Sequence, residues 1–218
     1  MTLRRLILPV LVVIAAVALS ACGDDNNDET SASQQVTRET VVDDDVLVSN
    51  LVGNAGFSVG TEGWTISTPD DISIDSSDDE SYEGDESLKL EADADKAPKE
   101  AAVAAQTIAT VPETKPGTQY FLSAQAMSKD LSRPVPVEVR LLYPDESSDF
   151  FVAGPSGLTT GIPKDTDGKW VQLTALVVAK KPIDQIDVYA FDTGLEKLTG
   201  TAWIDDIRLR QVEPEKSK

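Results

Sequence analysis

Side chains suited to holding a sugar ring occur at alternate positions of three predicted strands, 119–127, 135–143 and 185–191. An aromatic ring offers a flat apolar face to the C–H surface of a sugar, and charged or amide groups bond its hydroxyls. Alternate residues of a strand point to opposite faces, so this set lies on the side away from the predicted core. The set consists of Phe121, Gln125, Glu138, Arg140, Asp187, Tyr189 and Phe191. If the three strands are neighbours, the set forms one glycan-binding face.

Two members of this set, Glu138 and Asp187, raise the alternative of a glycosidase, which needs two carboxylates across a cleft. The chain has no histidine, which excludes Ser-His-Asp and Cys-His nucleophilic sites and the usual zinc ligand sets. It is also too short to hold a binding module together with a separate catalytic domain. We therefore expect a protein that is not an enzyme.

The only cysteine, Cys22, follows a stretch typical of a secretory leader. Arg4 and Arg5 precede an uncharged apolar run at 6–18, which is shorter than the roughly 20 residues of a membrane-spanning helix. The sequence LSAC at 19–22 resembles the bacterial lipobox, which implies cleavage after residue 21 and lipid modification of Cys22. The prediction is a protein anchored by lipid to a membrane of the cell envelope, outside the cytoplasm; the alternative is an ordinary leader with an unrelated cysteine.

The formal net charge of −19 becomes two units more negative when Arg4 and Arg5 are lost with the leader. So acidic a surface repels nucleic acid and anionic lipid headgroups. We expect no nucleic-acid partner, and the acyl chains are the predicted membrane contact.

Composition divides the chain into a leader at 1–21, a lipidated cysteine and disordered acidic linker at 22–45, a folded domain at 46–212 and a polar tail at 213–218. Short apolar runs separated by turn-forming residues predict an antiparallel sandwich or barrel. The predicted strands are 46–51, 64–67, 87–91, 101–110, 119–127, 135–143, 150–153, 170–178, 185–191 and 202–210. The acid-rich run 70–86 is predicted to be a solvated loop, with loose binding of a divalent cation as the alternative. Most members of a set of large residues are predicted to pack between the two sheets: Trp64, Tyr120, Leu122, Trp170 and Trp203.

Several short motifs occur in a characteristic order along the domain. They are NLVGNAGF at 50–57 with GW at 63–64, SLKL at 87–90, TKPGTQYFLSA at 114–124, GKW at 168–170 and AWIDDIRL at 202–209. The series resembles the carbohydrate-binding modules of the family 4, 9 and 22 type over residues 49–211. The resemblance implies a galactose-binding-domain-like jelly-roll β-sandwich. It also implies non-catalytic binding of a polysaccharide or cell-wall glycan, with secreted glycoside hydrolases as possible partners.

The same resemblance implies a structural calcium ion bound by Asp205 or Asp206. Its other ligands would be backbone carbonyls near 49–51 and 84. Calcium suits such a site because it accepts six to eight hard oxygen ligands. The alternative is a pair of solvated acids at the end of a strand.

Two functions remain open from the sequence. The first is a membrane-anchored surface protein that binds carbohydrate through the concave face of a β-sandwich. The second is a structural or protein-interaction lipoprotein that keeps the fold without binding sugar.

Overall fold

A computed structural model describes residues 49–94 and 96–212, which lie in one compact unit, Val41–Lys218. The predictions for the leader at 1–21, Cys22, the linker at 22–45 and the tail at 213–218 fall outside these residues. Among the described residues, no helix has the length and apolar character needed to cross a bilayer.

The described part of the chain forms two antiparallel sheets. In chain order its strands are β1 (Thr65–Ser67), β2 (Ile72–Ser77), β3 (Ser87–Ala94), β4 (Val103–Thr107), β5 (Gln119–Lys129), β6 (Glu138–Leu142), β7 (Ser148–Val152), β8 (Gly154–Pro155), β9 (Val171–Val178), β10 (Gln185–Asp192) and β11 (Leu198–Val212). The five-stranded sheet has the order β1-β4-β10-β6-β7, and the six-stranded sheet has the order β2-β3-β11-β5-β9-β8. The predicted jelly-roll β-sandwich is confirmed.

Alternating side chains build the core between the sheets. On β5, Tyr120 and Leu122 are fully buried, as the sequence predicted. Val139 of β6 and Val188 of β10 supply buried side chains from the other sheet. Most inward positions are apolar and each outward neighbour is free to be polar, so the burial of one face determines which residues the other face presents.

The acid-rich run 70–86 is partly a strand, which corrects its prediction as a loop. Ile72 and Ile74 are buried and alternate with Ser73 and Asp75, the pattern of a strand with one buried face. Because acidic residues surround them, this short alternation was not recognised as a strand in the sequence. Residues 70–71 form a turn and residues 78–86 form a loop. This loop lies against the six-stranded sheet through an ion pair of 2.7 Å between Asp79 and Lys89.

Most of the large residues predicted to pack between the sheets do so: Trp64, Tyr120 and Leu122 are buried, whereas Trp170 and Trp203 are only partly buried. Trp64 is buried, with its ring centroid 5.4 Å from that of Phe57. Trp203 alternates with core residues of β11, and the Lys89 ammonium lies 5.8 Å from its ring centroid. Trp170 is half-buried and makes an edge contact of 5.9 Å with Tyr82 of the 78–86 loop.

Gly200 of β11 illustrates how closely the chain packs. A Cβ atom at this position would lie 2.4 Å from the Asp130 carbonyl oxygen, and its φ of +105° is unfavourable for other residues. Gly117 has a comparable φ of +89° but open space around it. A side chain at Gly117 would therefore cause backbone strain alone, whereas one at Gly200 would cause strain and a steric clash.

We expect Gly200→Ala to lower the free energy of unfolding by about 2–5 kcal/mol, because strain and clash add. Gly117→Ala should cost only about 1–2 kcal/mol, since strain acts alone. Urea denaturation of the purified variants measures both. Equal losses at the two positions would contradict the packing described for β11.

Candidate functional site

Two adjacent rows of side chains cross the outer face of the five-stranded sheet. The strand register fixes their members, and the residues between them, such as Val188 and Val139, point into the core. The first row, from β4 to β7, is Thr107, Asp187, Arg140 and Phe150; the second is Ala105, Tyr189, Glu138 and Val152. Four of the seven residues predicted for the glycan site therefore lie together on one face: Glu138, Arg140, Asp187 and Tyr189.

The Asp187 carboxylate is the centre of a polar network on this face. Asp187 is only 4% exposed, and its Oδ2 accepts hydrogen bonds from Nε and Nη2 of Arg140 at 3.0 and 2.5 Å. Its Oδ1 accepts from Oγ1 of Thr107 at 2.6 Å and from Nε2 of Gln185 at 2.8 Å. A buried carboxylate needs such donors, because burying its oxygens without hydrogen bonds costs free energy. Asp187 therefore holds three side chains from β4, β6 and β10 in place.

Arg140 extends from this network towards solvent. Its side chain is 32% exposed, whereas the carboxylate beneath it is 5% exposed. Since the guanidinium group carries five N–H donors in a fixed plane, the donors that are not bonded to Asp187 can meet a ligand hydroxyl.

Glu138 occupies the next row as a nearly buried acid. Within residues 49–94 and 96–212 its carboxyl makes no hydrogen bond or ion pair, although it is only 8% exposed. Burial, together with the charge of nearby Asp192, raises the pKa of Glu138 to about 7. Near neutral pH the carboxyl therefore exists in both forms, and can donate or accept a hydrogen bond.

Aromatic rings flank the polar network. Tyr189 is half-buried beside Glu138, and burial raises the pKa of its hydroxyl, which therefore stays protonated. Phe150 of β7 lies opposite Arg140 and is 54% exposed. The sequence analysis missed Phe150, although the turn after Tyr143 indicates a hairpin that would place Phe150 opposite Arg140.

Phe121 and Gln125 lie on the other sheet, so the predicted single face of three neighbouring strands is wrong in part. Both belong to β5, which pairs with β9 and β11. Alternation correctly turned these residues away from the core, but it carries no information on which sheet a strand joins. They face solvent from the opposite side of the sandwich.

Phe191 lies in the core, which corrects its predicted outward position. The register of β10 against β4 shifts between Tyr189 and Phe191, leaving Ala190 as an extra residue. Such a bulge reverses the alternation, and Phe191 is fully buried. Asp192 takes the next outward position.

Asp205 and Asp206 do not present a donor set that fits the calcium ion implied by the resemblance. Both oxygens of Asp205 accept backbone N–H groups, and Oδ1 of Asp206 accepts from Nε of Arg208 at 2.6 Å. No group of three or more acidic, cysteine or histidine residues suited to a metal occurs in the part of the chain that the structure describes.

A protein-family model described as "Carbohydrate binding domain" matches residues 49–194. The chain belongs to this family. The match covers most of both sheets, including all of β6 and β10, and the resemblance to modules of the 4, 9 and 22 type is confirmed.

Solved structures of this kind share the fold. The CBM22-1 xylan-binding domain from Paenibacillus barcinonensis Xyn10C has a TM-score of 0.51 at 16% identity, over 76% of this chain and 96% of that domain. The CBM22-1-CBM22-2 tandem domain of the same protein has a TM-score of 0.53 at 17% identity, over 76% of this chain and 47% of the tandem. At these identities the likeness concerns the fold.

Curated relatives match a similar stretch. The tRNA3(Ser)-specific nuclease WapA of Bacillus spizizenii is 28% identical over 167 residues, which are 73% of this chain and 6% of that protein. The tRNA nuclease WapA of Bacillus subtilis strain 168 has the same identity and coverage. This chain spans about 6% of the length of these relatives, so the activity of the whole proteins does not transfer to it.

The raised pKa of Glu138 makes the stability of the domain depend on pH. A carboxyl whose folded pKa lies above its unfolded pKa stabilises the fold fully at low pH, and this contribution is lost as the pH rises through about 7. Wild type should therefore lose stability between pH 5 and pH 8 relative to Glu138→Gln, by up to about 3 kcal/mol. Denaturant unfolding at the two pH values measures the difference. The exposed Glu113, changed to Gln, is the control and should follow wild type; a Glu138 variant that also does so would disprove the assignment.

Proposed function

We propose that this protein binds a polysaccharide without cleaving it, through the outer face of the five-stranded sheet. The observation that carries the proposal is the buried Asp187 network, which holds Arg140, Thr107 and Gln185 beside the Tyr189 ring. Pre-ordered polar groups lose little conformational entropy when a ligand binds, which is what recognition of a hydroxyl-rich ligand requires. Membership in the carbohydrate binding domain family supports the same assignment.

Each side chain has a role in this proposal. Tyr189 and Phe150 offer ring faces to the C–H surfaces of sugar units, and Arg140 donates to hydroxyl oxygens. Glu138 lies beside Tyr189 and bonds a second hydroxyl in either protonation state. The row from β4 to β7 crosses three strand spacings, about 14 Å, which is long enough for more than one sugar unit.

The Asp187 network also favours binding over hydrolysis. A glycosidase needs one carboxyl as acid and a second that is free to act as base or nucleophile. Both oxygens of Asp187 are occupied by donors from Arg140, Thr107 and Gln185, so Asp187 is not free for either role. This observation supports a non-catalytic protein.

Xylan is the first ligand to test, because the solved structures with this fold include a xylan-binding domain. We expect soluble xylan to slow the wild-type protein in a native gel, and Tyr189→Ala to weaken the affinity about tenfold through the loss of ring stacking. Phe121→Ala is the matched control, since Phe121 is also a half-buried outward-facing aromatic residue, but on the other sheet. It should bind like wild type.

Two results would count against the proposal. The first is an equal loss of affinity in the Phe121 and Tyr189 variants. The second is the absence of retardation by xylan, β-glucan and galactan while the circular dichroism spectrum stays native. The second result would favour the alternative of a structural or protein-interaction lipoprotein.

We further propose that the protein is tethered by lipid at Cys22 to a membrane of the cell envelope. The apolar run at 6–18 and the LSAC sequence at 19–22 support this localisation. A domain tethered in this way would hold polysaccharide at the cell surface, where secreted glycoside hydrolases act on it.

Cys22→Ser should move the protein from the membrane to the soluble fraction, because it removes the site of acylation. Ser31→Ala, a neighbouring change that leaves Cys22 intact, should keep it in the membrane fraction. Immunoblots of fractionated cells provide the measurement. Membrane retention of the Cys22 variant would show that lipid at this residue is not the anchor.

A further inference from the structure

The bulge in β11 is the point at which three separate parts of the chain meet. The register of β11 against β5 shifts between Asp205 and Arg208. The 78–86 loop and the segment 50–56 each make hydrogen bonds to the residues of this bulge. The family resemblance leads one to expect a calcium ion here, joining the same parts.

Asp205 binds the loop directly through its carboxylate. It is fully buried, and its Oδ2 accepts hydrogen bonds from the backbone N–H groups of Tyr82 at 2.9 Å and Glu83 at 3.0 Å. Its Oδ1 accepts from the N–H of Asp206 at 2.7 Å. Three N–H dipoles thus offset part of the cost of burying the negative charge, and a cation approaching the carboxylate would meet their positive ends.

The neighbouring charges are already paired as well. Oδ1 of Asp206 accepts a hydrogen bond of 2.6 Å from Nε of Arg208, and Nη2 of Arg208 lies 3.7 Å from a carboxylate oxygen of Glu83. Arg208 therefore already supplies a positive charge to Asp206 and Glu83. Of the carbonyls that could serve the ion, that of Gly84 accepts a hydrogen bond from Oγ of Ser81 at 3.0 Å.

Asn50 joins the second part of the chain to the bulge. Its Nδ2 donates to the carbonyl of Ile207 at 3.1 Å, and its Oδ1 accepts from the N–H of Leu209 at 2.9 Å. Two backbone bonds extend this contact, from Leu51 N–H to the Leu209 carbonyl at 2.9 Å and from Ile207 N–H to the Ala55 carbonyl at 3.0 Å. One side chain thus bonds both the bulge, at Ile207, and the strand just after it, at Leu209.

We propose that Asp205 and Asn50 join these three parts by direct hydrogen bonds, so that the domain folds and keeps the 78–86 loop in place without calcium. The loop in turn covers part of the six-stranded sheet, where Tyr82 contacts Trp170 and Asp79 pairs with Lys89. Asp205 is the positioning residue for this cover.

The first test compares the melting temperature of the purified protein in EDTA, in millimolar calcium and in millimolar magnesium, together with calcium titration by calorimetry. The proposal expects the same melting temperature in all three conditions. A melting temperature that falls in EDTA and is restored specifically by calcium would overturn the proposal.

The second test uses Asp205→Asn, which exchanges an acceptor-only carboxylate for an amide that cannot accept on both sides. Digestion with a glutamate-specific protease, followed by mass spectrometry, reports cleavage after Glu80, Glu83 or Glu86 of the loop. We expect cleavage about tenfold faster than in wild type, with no rescue by calcium. Asp206→Asn is the matched control, because Asn tolerates the φ of +49° at that position. It should be cleaved at nearly the wild-type rate.

Unchanged cleavage of the loop in Asp205→Asn would also overturn the proposal, since the carboxylate would then not hold the loop. If this variant does not fold, the response of the wild-type melting temperature to EDTA and calcium still decides between a metal-free and a calcium-bound bulge.

Discussion

A carboxylate buried in a sheet is stable only when hydrogen-bond donors surround it, and the donors to Asp187 come from three strands. Thr107 lies on β4, Arg140 on β6, and Gln185 two residues before Asp187 on β10. Removing one donor would leave charge poorly compensated, which is expensive in a desolvated position. The network therefore ties the geometry of the outer face to the strand register of the five-stranded sheet. The same bonds that stabilise the charge also fix the orientation of Arg140.

Glu138 contrasts with Asp187 on the adjacent row. One acid is surrounded by donors, whereas the other is nearly buried without a partner among the described residues and close to the like charge of Asp192. Such an arrangement costs stability, and acids of this kind are concentrated at functional sites. The outer face of the five-stranded sheet therefore presents both the Arg140 guanidinium group, held in place by Asp187, and an acid, Glu138, whose protonation changes near neutral pH.

The local pattern of the sequence predicted an antiparallel sandwich or barrel, and the family resemblance narrowed this to a jelly-roll sandwich. Because alternation determines which side chains face outward, Glu138, Arg140, Asp187 and Tyr189 were correctly assigned to an outer face. Alternation does not determine strand order, which depends on contacts distant in sequence, so the residues of β5 were assigned to the wrong sheet. It also fails at a bulge, where one extra residue moves Phe191 from the surface to the core.

Other differences between the prediction and the structure arise because the surroundings of a residue, and not only its type, determine its contacts. An aspartate pair is compatible with a metal or with N–H donors, and only the folded chain brings Tyr82 and Glu83 to Asp205. In the same way, Ile72 and Ile74 form a strand within an acid-rich run because β3 lies beside them. The composition of the run 70–86 reflects its many acids, whereas strand pairing with β3 depends on the two buried isoleucines within it.

The ion pair between Arg140 and Asp187 has a consequence for the chain as a whole. The protein is strongly acidic, yet an approaching ligand meets at Arg140 a dipole rather than an uncompensated cation. Long-range electrostatic attraction contributes little to such an encounter, and a bound ligand would displace few counterions. Recognition on this face is therefore a matter of contact geometry, and dissolved salt should scarcely alter it.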